Sequence, residues 1–247
     1  KYAKILGINA FRIWVSYEYW KEDPNHFKWA YDHFLSLANK YNIKILTSLF
    51  EGCSYTDYSS ESRTSRSFSN SYSITSPAAE IYNNPSRWNE PKEFIDWFMD
   101  NYKDDLRHFA IEVYNEPWGP RQNLAKELAR YIISKQGKVP LSIGTAPGES
   151  ITIEYSVQVG MDIIQYHDNF PSSASDFYNR ANQRISQGRR ANLPVYCTEV
   201  QWVGGPGKPN DSSYYNLAPT CEKLMKTGKW APFYWTLMVH PAYLPEN

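Results

Sequence analysis

The chain has 247 residues, 42% of them hydrophobic, enough to bury one large core of the size a single α/β barrel needs. Lys plus Arg equals Asp plus Glu at 26 each and the pI is near 7.1, so no bulk basic face exists to hold phosphates, and nucleic acid is not an expected partner. No apolar run approaches the roughly 18 to 20 residues that span a bilayer, which excludes a membrane helix.

In chain order, the sequence opens on polar, helix-like residues rather than an apolar export signal, so that a leader was either removed or never present. Strand-like runs rich in Ile, Val, Leu and Phe then recur at 8–15, 43–50, 109–114, 141–145, 162–166, 195–198 and 233–238. Between them lie amphipathic stretches at 27–41, 91–102, 123–135, 151–159, 174–187 and 214–226. Strict alternation requires parallel strands with right-handed crossovers, and sustained over this many units it predicts an α/β fold of the closed (β/α)8 TIM barrel kind. A doubly wound open sheet is the competitor. It lacks support because Trp14-Val15-Ser16-Tyr17, not a Gly-rich phosphate turn, follows the first strand. One catalytic barrel over 1–247 is expected, with a long loop insertion at about 51–90 that is rich in Ser, Tyr and Asn and is expected to be ordered over a binding cleft. Three cysteines, Cys53, Cys197 and Cys221, form neither a zinc spacing nor an even disulfide framework. Nine Trp and 20 Tyr exceed ordinary core needs and supply candidate sugar-stacking faces, with aromatic-rich packing as the plainer reading.

The chemistry concentrates at strand ends, where barrel enzymes keep their catalytic groups. Asn115-Glu116-Pro117 closes one apolar strand, and residues 193–200 deliver Glu199 at the end of another, just before Gly204-Gly205-Pro206-Gly207. Two carboxylates on two strand ends suggest glycoside hydrolysis, in which one carboxyl gives a proton and the other attacks the anomeric carbon. Pro117 fixes the backbone beside Glu116 and Trp118 offers an apolar wall that would favour its neutral form, which suits the donor. Arg12, at another strand end, could keep Glu199 ionised as the nucleophile, or it could instead be a structural partner of Glu112. Asn115 offers an amide for the sugar 2-hydroxyl. Glu51 reads equally as a subsite hydrogen bonder or as half of an ion pair.

In order and spacing these motifs resemble the clan of retaining (β/α)-barrel glycosidases, and most nearly glycoside hydrolase family 5, with its cellulases and mannanases. Residues 7–14 look like that family's second strand with its Arg, and 111–117 like the fourth with its acid/base. Residues 163–167 are similar to the sixth strand with its His, 194–199 to the seventh with the nucleophile, and 233–235 to the eighth with its platform Trp. The resemblance implies Glu116 and Glu199 as catalytic residues, and Arg12, Asn115, Trp118, Tyr166, His167, Trp202 and Trp235 as substrate contacts. It implies a β-linked glucan or mannan as substrate, no cofactor, no metal, and a secreted or extracellular setting. Three departures stand out: Leu49-Phe50-Glu51 replaces the usual His after the third strand; His-x-Tyr on the sixth reads His167-Asp168-Asn169, so the Tyr that touches the nucleophile is either replaced by Tyr166 or lost; and Val200-Gln201-Trp202 follows the nucleophile in place of an aromatic-Gly pair, which leaves Trp202 as a ring beside the sugar. A carbohydrate-binding barrel without turnover is the alternative. A barrel lyase or aldolase would want an inner Lys or a metal cluster, and the strands offer neither. Against the family's pattern, the first strand and last helix look to be missing, leaving an incomplete barrel whose apolar edges would invite pairing with a second copy in a homodimer.

Overall fold

A computed structural model describes residues 2–5, 7–53, 56–57, 74–145, 151–169, 171, 173–201 and 211–234. In chain order its strands are β1 (Ala10–Trp14), β2 (Lys44–Glu51), β3 (Thr56–Asp57), β4 (Ile74–Thr75), β5 (His108–Asn115), β6 (Leu141–Ser142), β7 (Ile164–Asn169), β8 (Val195–Gln201) and β9 (Trp230–Tyr234). Four of them pair in parallel in the order β1-β2-β5-β6, and three more in the order β7-β8-β9. Backbone bonds from Asp162 N to Leu141 O (3.0 Å) and from His167 N to Thr145 O (2.9 Å) join β6 to β7, so the two sheets form one continuous parallel arc. The result is the wall of a (β/α) barrel.

Helices cover the outside of this wall because each carries an apolar stripe and a defined start. Asp23 accepts from His26 N ahead of Pro24–Lys40, with Pro24 in the first turn, where its missing N–H costs nothing. Ser173 caps Ala174–Ala191 in the same way, and Asn192 ends that helix in the left-handed region at φ 55°. Asn89–Tyr102 and Arg121–Ile133 pack beside them. Rings from Tyr17, Phe27, Tyr31, Phe94, Phe98 and Tyr102 fill the layer between helices and strands. Inside the arc, Phe109 meets Tyr196 at 4.8 Å between ring centroids and Phe233 at 6.1 Å, next to Leu46, Ala110 and Ile163. These side chains form a floor that closes the lower interior, as barrel interiors require.

The strand-helix alternation appears as expected, with several ends shifted: β6 stops at Ser142, short of 145, and β7 and β8 run on past 166 and 198. The last strand begins at Trp230, three residues before the predicted 233, because Trp230 buries its ring against Phe177 and pairs with Val195. A short helix, Tyr17–Glu22, was not foreseen; Ser16 starts it by accepting from Tyr19 N. Within the expected loop at 51–90, the described parts form the small parallel pair β3–β4 and the turn Ala79–Tyr82. Residues 54–55 and 58–73 lie outside the described residues. Among the described residues no helix is long and apolar enough to cross a membrane.

Candidate active site

β1, β2, β5, β7 and β8 bring eight polar side chains to one place: Arg12, Glu51, Glu112, Asn115, Glu116, His167, Asn169 and Glu199. Arg12, in β1, is the hub, with only 3% of its side chain exposed. Its guanidinium donates from Nε to Glu112 Oε2 (2.6 Å) and from Nη2 to Glu112 Oε1 (2.7 Å), the paired geometry that a planar fork gives a carboxylate. Nη2 also donates to Asn115 Oδ1 (2.6 Å), and Nη1 to Glu199 Oε1 (2.7 Å). The ring of Trp14 lies 4.4 Å from the guanidinium carbon. Burial opposes the charge on Arg12, but Glu112 and then Glu199 outweigh it and raise its pKa further, so the group stays cationic. The two readings of Arg12, as partner of Glu112 and as partner of Glu199, describe one network.

Glu199 is 6% exposed and accepts on its other oxygen, Oε2, from Asn169 Nδ2 at 3.0 Å. Asn169 was not among the expected site residues, although the signal was present: it occupies the Tyr position of the His-x-Tyr pattern. Tyr166 does not take that place. Alternation along β7 sends Tyr166 outward into the packing around Phe177 and Trp230, where its hydroxyl accepts from Trp230 Nε1 at 2.8 Å. Asp168 also faces outward, to Arg180 at 2.7 Å, while His167 and Asn169 face the cleft. The expectation that Tyr166 contacts the sugar or the nucleophile is therefore replaced by Asn169.

Glu116 stands just past β5 at φ 38°, a left-handed conformation costly for a residue with a side chain. Gly52 holds this turn from below: its N–H donates to Asn115 O at 2.8 Å, and a Cβ there would sit 2.6 Å from Pro117 Cα and 2.7 Å from Glu116 O. Glu116 Oε1 is in contact with His167 Nδ1, and His167 Nδ1 lies 3.7 Å from Glu199 Oε2. A β-bulge between Tyr166 and His167 sets His167 directly opposite Glu199 in the strand register. Burial pushes against charge on Glu116, yet His167, and behind it Cys53, draw the carboxyl down to about 2. This departs from the neutral acid that the Trp118 wall was expected to favour. The Trp118 indole acts in the same direction as His167, and its buried N–H makes no hydrogen bond of good geometry.

Glu51, at the end of β2 and 4% exposed, accepts from Cys53 N on Oε1 (2.6 Å) and from Asn115 Nδ2 on Oε2 (2.8 Å). Burial pushes its carboxyl up to about 7. Burial likewise raises the Cys53 thiol, with Glu116 adding to the shift. Oxygens of Glu116 and Glu199 and a ring nitrogen of His167 all lie within 4.8 Å of one another, a donor set open to a divalent ion; Arg12 already brings positive charge to one of its carboxylates. Trp202 and Trp235 lie outside the described residues.

No protein-family model and no curated protein sequence matches the chain. Solved structures do. The hyperthermostable endo-1,4-beta-D-mannanase of Thermotoga petrophila RKU-1, solved with maltose and glycerol, superposes with a TM-score of 0.65 at 14% identity, covering 94% of this chain and 81% of that one. Thermotoga maritima Cel5A in complex with mannotriose gives 0.66 at 16% identity, over 96% and 81%. The endo-1,4-beta-mannanase of Rhizomucor miehei gives 0.65 at 18%, over 95% and 79%. At such identities the likeness is one of fold: the chain carries a (β/α) barrel wall similar to those of these endomannanases and of Cel5A.

Proposed function

We propose that the chain is a retaining glycoside hydrolase that cleaves β-linked plant-type polysaccharide, β-1,4-glucan first and β-mannan next, by double displacement. The observation that carries this reading is the spacing of the two strand-end carboxylates, whose nearest ligand oxygens lie within 4.8 Å. That supports the retaining geometry, with carboxyl groups roughly 5 to 5.5 Å apart, over the roughly 6.5 to 9.5 Å that makes room for an inverting water. Glu199, its oxygens held by Arg12 and Asn169, attacks the anomeric carbon and forms a glycosyl ester as the bond to the leaving oxygen breaks. Glu116 gives that oxygen a proton and then takes one from the water that hydrolyses the ester. His167 and Cys53 favour the charged form of Glu116, and a bound sugar that strips water from the carboxylate acts the other way, toward the protonated acid that the step needs. The mannanases and the mannotriose complex among the similar structures support mannan beside glucan. A polymer of this kind is met outside the cell, which supports a secreted protein.

Release of reducing sugar from carboxymethylcellulose, mannan, xylan and lichenan tests the proposal. Activity on at least one, lost in Glu116→Gln, is expected. Glu199→Ala should be inactive and should regain turnover with azide, giving a glycosyl azide of inverted configuration; no rescue, or hydrolysis with inversion by NMR, overturns the mechanism. The lowering of the Glu116 carboxyl by its contact with His167 favours, as a second reading, a carbohydrate-binding barrel without turnover. That reading predicts sugar binding by calorimetry with no reducing ends released from any polymer in the panel.

A further inference from the structure

We propose that Glu51 is a positioning residue that fixes the side-chain amide of Asn115 with one N–H aimed into the cleft for the 2-hydroxyl of the sugar. The inference rests on the hydrolase reading and concerns a carboxylate that reading leaves without a role. Asn115 is 3% exposed and sits between two partners of opposite character. Arg12 can only donate, and Glu51 accepts on both oxygens, from Cys53 N and from Asn115 Nδ2. The amide therefore has one satisfied orientation: Oδ1 toward Arg12 Nη2 at 2.6 Å and Nδ2 toward Glu51 Oε2 at 2.8 Å. A flipped amide would set N–H against N–H and oxygen against oxygen. An amide nitrogen has two hydrogens, and Glu51 takes one, which leaves the other for a ligand.

The strand register makes this contact obligatory. Glu51 and Asn115 are direct partners across β2 and β5, and Gly52 N–H donates to Asn115 O at 2.8 Å immediately beyond. Cys53 N holds the second oxygen of Glu51 at 2.6 Å, so the carboxylate cannot rotate away without losing a bond. The other ionisable groups acting on it are Arg12 and Glu199, neither of which it touches directly. Glu51 thus acts on the sugar only through Asn115.

The test compares Glu51→Ala, Glu51→Gln and Asn115→Ala on an aryl β-glucoside and on its 2-deoxy analogue, with thermal melts to establish folding. On the aryl glucoside Glu51→Ala is expected to lower kcat/KM about tenfold, mostly through kcat, since a hydrogen bond to the 2-hydroxyl strengthens in the transition state. Glu51→Gln should fall between, because its amide can serve Asn115 or Cys53 N but not both. On the 2-deoxy analogue the penalty should vanish, and in an Asn115→Ala background the Glu51 change should have no further effect. A penalty of equal size on both substrates, or one that persists in the Asn115→Ala background, overturns the inference while leaving the hydrolase reading intact. A folded wild-type chain that turns over no glycoside overturns both.

Discussion

At the residue scale, the site depends on one cation serving three acceptors. Arg12 makes four hydrogen bonds, to Glu112, Asn115 and Glu199, and Glu112 is fully buried. An ammonium is a point charge and cannot reproduce the fork, so Arg12→Lys leaves Glu112 part-paired in a dry interior. Removing a partner from a buried pair costs about 3 to 5 kcal/mol, and urea unfolding of Arg12→Lys should show a loss approaching that size together with lost turnover. Unchanged stability would remove Arg12 as the anchor. Glu51 gives a second prediction. Its folded pKa, about 7, lies above the ordinary carboxylate value of 4.5, so its contribution to stability is full below pH 4.5 and is lost as pH rises through about 7. Melting temperatures should fall across that window in the wild type and fall less in Glu51→Gln; parallel curves would show that Glu51 does not titrate there. Asp168, raised to about 6 chiefly by burial, adds a slope of the same sign between about 4 and 6, which the Glu51 variant retains.

At the scale of elements, close approach and outer-face packing set where the strand ends stand. Gly52 lets the end of β2 pass under the Asn115-Glu116-Pro117 turn, and any Cβ there meets backbone that cannot yield like a flexible side chain. Gly52→Ala should displace Glu116 and lower kcat by up to about 100-fold, the scale of a 1 Å misplacement, in a protein that still folds. A kinetically silent Gly52→Ala would show that the turn can adjust. On the other face, Tyr31 links the helix Pro24–Lys40 to two strands, with its hydroxyl at 2.6 Å from Thr47 Oγ1 and 2.7 Å from His108 Nε2. Tyr31→Phe leaves both groups buried without that partner and should cost about 1 to 3 kcal/mol in unfolding with kcat unchanged, since the contact lies away from the cleft. Many of the rings that made the composition unusual lie in this layer: Tyr17, Trp20, Phe27, Phe94 and Trp97 pack on one another between the helices. Trp14 and Trp118, in contrast, stand by the charged groups of the cleft.

For the whole molecule, the parallel arc runs from β1 to β9, and among the described residues each of these strands has one strand neighbour. An edge at β1 or β9 left open in solution would let copies of the chain pair, and light scattering at micromolar concentration would then show a dimer. A monomer that hydrolyses polysaccharide at that concentration removes the homodimer.

The sequence by itself determined the alternation of strands and helices, because hydrophobic period, capping residues and apolar run length act within a few residues of one another. It also placed Glu116 and Glu199 at strand ends, since each follows an apolar run that must stop there. The tertiary structure alone decided which side chains meet. Alternation along β7 turns Tyr166 to the helices and gives its expected place to Asn169, while the bulge, which skips Thr198 on β8, puts Glu199 opposite His167. Glu51 looked equally like a subsite contact or half of an ion pair, and only the pairing of β2 with β5 shows it holding Asn115. Such contacts join residues 64 and 187 positions apart, as for Glu51 with Asn115 and Arg12 with Glu199. No local pattern encodes them, because they arise when the wall curves and brings distant strand ends around one axis.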